Sequence, residues 1–195
     1  MPDWTVVIPV KGTVSAKSRL GASAELALAI ALDTVAAVLS VPELVEGHDI
    51  VVVTSPSIAP QFEALGARVV LDAERGLTAA VAQGIAAAGV GRVAVLLGDV
   101  PALQSHELAG ALELALHHPL AFVPDADNDG TVLITALRAA DHRPAFGVHS
   151  RAAHLAAGYV ELDIPLDSGL RRDVDTADHL AALASHLGQR TRAAL

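Results

Sequence analysis

Cysteine is absent from the chain, which excludes disulfides and thiolate metal sites. Lysine is almost absent: Lys11 and Lys17 stand six residues apart, and all other positive charge is arginine. No segment approaches 18 uninterrupted apolar residues, and no basic stretch with an apolar run opens the chain, so neither a membrane span nor a signal peptide is expected. Beyond Arg171-Arg172 no basic cluster offsets a net charge of −9, which argues against a nucleic-acid surface. The nine histidines show no His-x-x-x-His or His-Glu-x-x-His spacing, so a zinc site is not expected. A Walker A loop, a Gly-x-Gly-x-x-Gly turn and a Gly-x-Ser-x-Gly elbow are missing as well. A cytoplasmic protein that acts on small molecules is the expectation left standing.

What is present points to one domain over 1–195, since 195 residues with 52% apolar content suffice for one full core and leave no room for a second sizeable one. Val6-Val7-Ile8-Pro9-Val10 reads as a buried strand that empties into a polar loop, Lys11 to Leu20, holding both lysines, Gly12 and two serines. Compact ammonium groups concentrated at a strand's carboxyl end suit phosphate oxygens, and a nucleotide is the first candidate.

Strand and helix then alternate. Helical spacing covers Glu25–Leu39, Ala59–Leu65, Leu77–Ala88 and Ser105–Leu116. Continuous apolar runs at Ile50–Val53, Val69–Leu71, Val93–Leu97 and Leu120–Pro124 read as buried strands. Val132-Leu133-Ile134 is a further apolar run, Phe146 to Ser150 opens a short helix, Val160-Glu161-Leu162 suits an edge strand, and Thr176 suits the N-cap of a last helix. The pattern predicts a three-layer α/β/α fold with a mostly parallel sheet. Ligands in such sheets sit outside the strands' carboxyl ends, which gathers Lys11, Lys17, Thr54, Asp72, Gly76 and Asp99 on one rim.

Asp99 ends an apolar run at Gly98-Asp99-Val100-Pro101, and Asp175 precedes a helix. Either could be an ordinary turn or cap residue. As a pair beside a triphosphate they suit Mg²⁺, which takes hard oxygen ligands and needs one or two protein carboxylates. The acidic turn Asp125 to Gly130 has the opening of a calcium loop, but position 12 is Ala136 and no helix precedes it, so calcium is not expected.

Seven segments in unbroken order resemble the CofC/FbiD family of guanylyltransferases in coenzyme F-420 biosynthesis. They are Ile8–Gly12, Ala16–Leu20, Gly76–Ala80, Gly98–Pro101, Pro124-Asp125 with Asp129–Thr131, Phe146-Gly147 with Ser150 and His154, and Asp173–Thr176. The resemblance implies a GT-A-like nucleotidyltransferase fold, similar to molybdenum-cofactor guanylyltransferases. It implies transfer of GMP from GTP to a phosphorylated three-carbon acid, with phosphoenolpyruvate favoured over 2-phospho-L-lactate. By the same resemblance, Lys11, Lys17 and Asp99 are catalytic. Pro9, Val10, Lys11, Gly12, Lys17, Thr54, Gly76, Thr78 and Asp99 hold the nucleotide. Thr131, Gly147 and Ser150 receive the acid, and Asp99 and Asp175 hold Mg²⁺. A homodimer and a handover to the next biosynthetic enzyme are compatible partners.

The chain departs from its relatives at Val132, Val148 and Thr78, where Asn or Thr, Pro and Asn are common in the family. Val132 and Val148 are expected to line the acid pocket by shape. Two alternatives stay open: a nucleotidyltransferase acting on another phosphorylated substrate, and a non-catalytic nucleotide-binding protein.

Overall fold

The structure, a computed structural model, describes residues 4–11, 23–42, 50–73 and 75–195. The first half alternates β1 (Trp4–Pro9), α1 (Ala24–Leu39), β2 (Ile50–Thr54), α2 (Ala59–Glu63), β3 (Arg68–Leu71), α3 (Leu77–Ala88), β4 (Arg92–Leu96) and α4 (Ser105–Ala115). The second half adds β5 (Leu120–Pro124), β6 (Thr131–Ala136), α5 (Ser150–Ala156), β7 (Val160–Glu161), α6 (Ala177–Ala182) and α7 (Gln189–Ala193). Ser23 caps α1 by accepting from the Leu26 N–H at 3.1 Å, and Thr176 caps α6 by accepting from the His179 N–H at 3.2 Å, as its position predicts.

Among the described residues the strands form one sheet in the order β3-β2-β1-β4-β6-β5-β7. The block β3, β2, β1, β4 is parallel, and β7 is a parallel edge strand on β5. β6 runs against both β4 and β5. The acidic turn over 125–130 is too short for the crossover that a parallel neighbour needs, so β5 and β6 close as a hairpin. Sequence reading placed the apolar run of β6 without its direction, and α7 is an element it did not anticipate.

Alternation along each buried strand builds a core on each face of the sheet. Val6 and Ile8, Ile50 and Val52, and Ala94 and Leu96 face one side, against Ala31, Val35 and Val38 of α1 and Leu108, Ala111 and Leu112 of α4. Val7, Val51, Val53, Val93 and Val95 face the other, against Ala80 and Val81 of α3. That is the predicted three-layer arrangement, with burial worth roughly 1.5–3 kcal/mol for each large apolar side chain. No helix among the described residues is long and apolar enough to cross a membrane.

α3 lies so close to the sheet that a methyl group at Gly84 would collide with Val7 and Val53. Ala is a better helix former than Gly by ~1 kcal/mol, whereas overpacking a core costs ~1–3 kcal/mol. Gly84→Ala is therefore expected to lower stability by about 1–2 kcal/mol in urea unfolding. An unchanged or raised midpoint would show that α3 stands off the strands.

Candidate active site

β1 and β4 lie side by side at the middle of the sheet, and their carboxyl ends open into a cavity of about 500 Å³. The two ends approach closely at Gly98, where a side chain would press on Val10 and the Pro9 carbonyl. Pro9, Val10 and Lys11 enter the wall from β1, and Gly98 and Asp99 from β4. The turn after Asp99 is fastened to α1: the Val100 N–H donates to Thr34 Oγ1 at 3.1 Å, and that hydroxyl donates to the Ile30 carbonyl at 3.0 Å.

A second segment is laid against the first. The Val174 N–H donates to the Asp99 carbonyl at 2.9 Å, and the fully buried Val174 side chain packs among Leu26, Ile30, Ala102 and Leu180. With Val174 turned into the core, its neighbours Asp173 and Asp175 turn the other way and line the cavity. Carboxylate oxygens of Asp99, Asp173 and Asp175 all lie within 4.8 Å of one another. Unit charges this close repel by about 1 kcal/mol in bulk water and about 4 kcal/mol near a protein surface, so the cluster suits a hard divalent cation. Neither Asp99 nor Asp175 is a helix cap, because Gln104 caps α4 and Thr176 caps α6.

The far wall is the β5–β6 hairpin and the segment leading into α5. Asp125 spends its carboxylate on the turn, accepting from the Asp129 N–H at 3.0 Å and the Gly130 N–H at 2.7 Å. Arg171 braces the same turn from below: its buried guanidinium donates to the Asp125 carbonyl at 2.8 Å, the Asn128 side chain at 2.6 Å and the Ile164 carbonyl at 3.0 Å. Burial pushes the Arg171 pKa down, and Glu161 and Asp125 oppose that effect. At the lip the exposed pair His149 and Asp129 meet at 2.7 Å, with His149 in the left-handed region at φ 56°.

Behind this wall sits a small aromatic cluster. His154, fully buried, packs edge-on against Phe146 and Tyr159, each with ring centroids 5.2 Å away. One of its nitrogens lies 2.9 Å from Thr131 Oγ1, and the other accepts the Ala145 N–H at 2.9 Å. Tyr159 accepts from the Arg143 N–H at 2.8 Å and lies 3.0 Å from His142 Nδ1, while His142 Nε2 donates to the Val93 carbonyl at 2.9 Å. Burial pushes both imidazoles down to about 4, against weaker help from the Val93 carbonyl for His142 and the Ser150 carbonyl for His154. It also pushes the Tyr159 phenol up to about 12.

Of the residues singled out from sequence, Pro9, Val10, Lys11, Asp99, Thr131, Gly147, Ser150 and Asp175 all reach this one cavity. Gly12 and Lys17 lie outside the described residues. Thr54 does not reach it: β2 flanks β1 on the side away from β4, and the Thr54 side chain is fully buried there. Gly76 and Thr78 are exposed and do not line it, although Leu77 between them does. Asp72 is likewise outside the lining. Val132 is a correction: as a β6 residue it is fully buried in the core, so of the two valines Val148, 86% exposed at the lip, meets the cavity. Asp173 is the acid that sequence reading passed over; its signal was the Asp-x-Asp alternation about an apolar residue.

Residues 4–193 match the family described as guanylyl transferase CofC like. The chain belongs to this family. A phosphoenolpyruvate guanylyltransferase of Streptomyces avermitilis is 46% identical, with 98% of this chain and 94% of the relative aligned. One from Salinispora arenicola is 47% identical over 98% of this chain and 92% of the relative. The fold matches a nucleotidyl transferase from Methanothermobacter with a TM-score of 0.63 at 20% identity, covering 94% of this chain and 96% of that one. As a CofC-family chain with this fold, the protein is a nucleotidyltransferase. Its three-layer, mostly parallel architecture is the one the sequence predicts.

The buried imidazole has a consequence for acid stability. Its folded pKa of about 4 lies below the ordinary 6.5, so between these values the unfolded chain binds a proton that the native chain refuses. Stability is expected to fall as pH drops from about 6.5 to about 4, by roughly 3 kcal/mol from His154 alone. Urea midpoints measured across pH 7.5 to 4 check this, and a flat profile above pH 5 would mean that the ring is hydrated.

Proposed function

We propose that the protein transfers the GMP unit of GTP to phosphoenolpyruvate and releases pyrophosphate, a step of coenzyme F-420 biosynthesis. The observation that carries the reading is the three-carboxylate cluster set beside Lys11 at the sheet's carboxyl rim. The activity of the curated relatives and the chemistry of this cavity point the same way.

The bond that forms joins a phosphate oxygen of the acid to the α-phosphorus of GTP, and the bond that breaks is the bridge from that phosphorus to the β-phosphate. A phosphate nucleophile is already ionised near neutral pH, so no side chain need act as a general base. Catalysis consists of holding the two anions in line and offsetting their charge. Lys11, with Lys17, meets the triphosphate, and Pro9, Val10 and Gly12 carry its backbone contacts. Gly76 and Thr78, at the start of α3, face the base beyond the cavity. Thr131, Gly147 and Ser150 receive the carboxylate and phosphate of the acid.

Five carboxylates line the cavity among the described residues, against one lysine and one surface histidine. A polyanion enters such a space only with a cation. The all-oxygen set Asp99, Asp173 and Asp175 fits Mg²⁺. When bound, the ion supplies charge neutralisation of the phosphates.

Two measurements test these assignments. Pyrophosphate release with GTP is expected to be at least about ten times more efficient with phosphoenolpyruvate than with 2-phospho-L-lactate, although shape discrimination at one carbon is worth only ~1–3 kcal/mol. The reverse order would move the assignment to the lactate. Separately, Asp99→Asn, Asp173→Asn and Asp175→Asn are each expected to raise the Mg²⁺ concentration for half-maximal turnover by at least about 10-fold. Wild-type Mg²⁺ dependence in all three would remove the cluster from the mechanism.

A further inference from the structure

His154 lies behind the cavity wall and touches two sides of it at once. Its Nε2 accepts the Ala145 N–H at 2.9 Å, and its Nδ1 lies 2.9 Å from the Thr131 hydroxyl. A peptide N–H can only donate, so Nε2 is the bare nitrogen, and in a neutral ring the proton then sits on Nδ1. The Nδ1–H therefore faces Thr131 Oγ1, with the Ser150 carbonyl also drawing on it, and the hydroxyl's own proton points elsewhere. Among the described residues no acceptor takes it, and Thr131 stands in the cavity wall. Were the ring flipped to the other tautomer, two hydrogens would face each other at Ala145. Phe146 and Tyr159 pack edge-on against the ring, each with centroids 5.2 Å away.

We infer that His154 is a positioning residue that holds the Thr131 hydroxyl as a fixed donor aimed into the cavity, where it meets an anionic oxygen of the acid substrate. The inference rests on the functional reading above. Threonine hydroxyls otherwise rotate freely between donating and accepting, and an anion binds best where the donor direction is already set. Through Ala145 the same ring also fixes the start of the wall segment that continues to Gly147 and Ser150. The acid side of the site thus depends on one imidazole that touches no substrate.

Nitrogen NMR of histidine-labelled wild-type protein reads the tautomer directly. A protonated Nδ1 and a bare Nε2 are expected at His154, and the opposite pattern overturns the inference. In turnover assays, His154→Phe keeps the ring and removes both nitrogens. Its KM for phosphoenolpyruvate is expected to rise about 10- to 100-fold while the KM for GTP stays within about twofold. His154→Asn can place an N–H near the Nδ1 position and is expected to restore most of the acid affinity; His154→Gln reaches the Nε2 position and is expected not to.

Equal rescue by Gln, or parallel loss of GTP affinity, would reduce His154 to a structural brace. Combined with Thr131→Val, the His154→Phe loss is expected not to add, and additive losses overturn the coupling. Wild-type protein that releases no pyrophosphate with any phosphorylated acid refutes the functional reading, and this inference with it. Wild-type turnover with an unchanged acid KM in the variants refutes the role of His154 alone.

Discussion

Three carboxylates within 4.8 Å of one another are an electrostatic cost that the fold must hold in place. The hydrogen bond from the Val174 N–H to the Asp99 carbonyl contributes to that holding, because it sets a loop from late in the chain beside the end of a central strand. Each flank is secured in turn. Val174 is anchored in an apolar cluster shared by α1 and α6, and the backbone after Asp99 is fastened to α1 through Thr34. The repulsion is therefore borne by packing that lies outside the cavity, and a bound cation would relieve it.

The opposite wall is made by different means. There the charge is spent internally: Asp125 on its own turn, Arg171 on carbonyl groups, His142 and His154 neutral within an aromatic cluster. One side of the cavity concentrates charge and the other hides it. That asymmetry suits a site where a metal-bound polyanion must meet a smaller anion.

The strands, their carboxyl-end rim and most of the cavity residues were legible in the sequence, since a buried parallel strand is a continuous apolar run and ligands gather where such runs end. Lys11 and Asp99 follow from that rule, Asp175 from its pairing with Asp99 as a candidate Mg²⁺ ligand, and Thr131, Gly147 and Ser150 from resemblance. Thr54 stands on that rim at the carboxyl end of β2, but β2 flanks β1 on the side away from β4, and nothing local says on which side it will pair, so Thr54 does not line the cavity. Arg171 read as half of a basic surface pair, yet its burial is set by the Asp125 carbonyl 46 residues away. Asp173 was hidden by an ordinary helix-start pattern, and its role emerges only once Val174 is seen to be the buried residue between two acids.

β6 is paired along both edges, by β4 and by β5, and Thr131 is its first residue. A wall seated on a strand fixed from both sides is rigid before any ligand arrives. The acid of the proposed reaction, bound against that strand, would lose little of its affinity to ordering it, and selection by the strand would work by fit to a shape already in place.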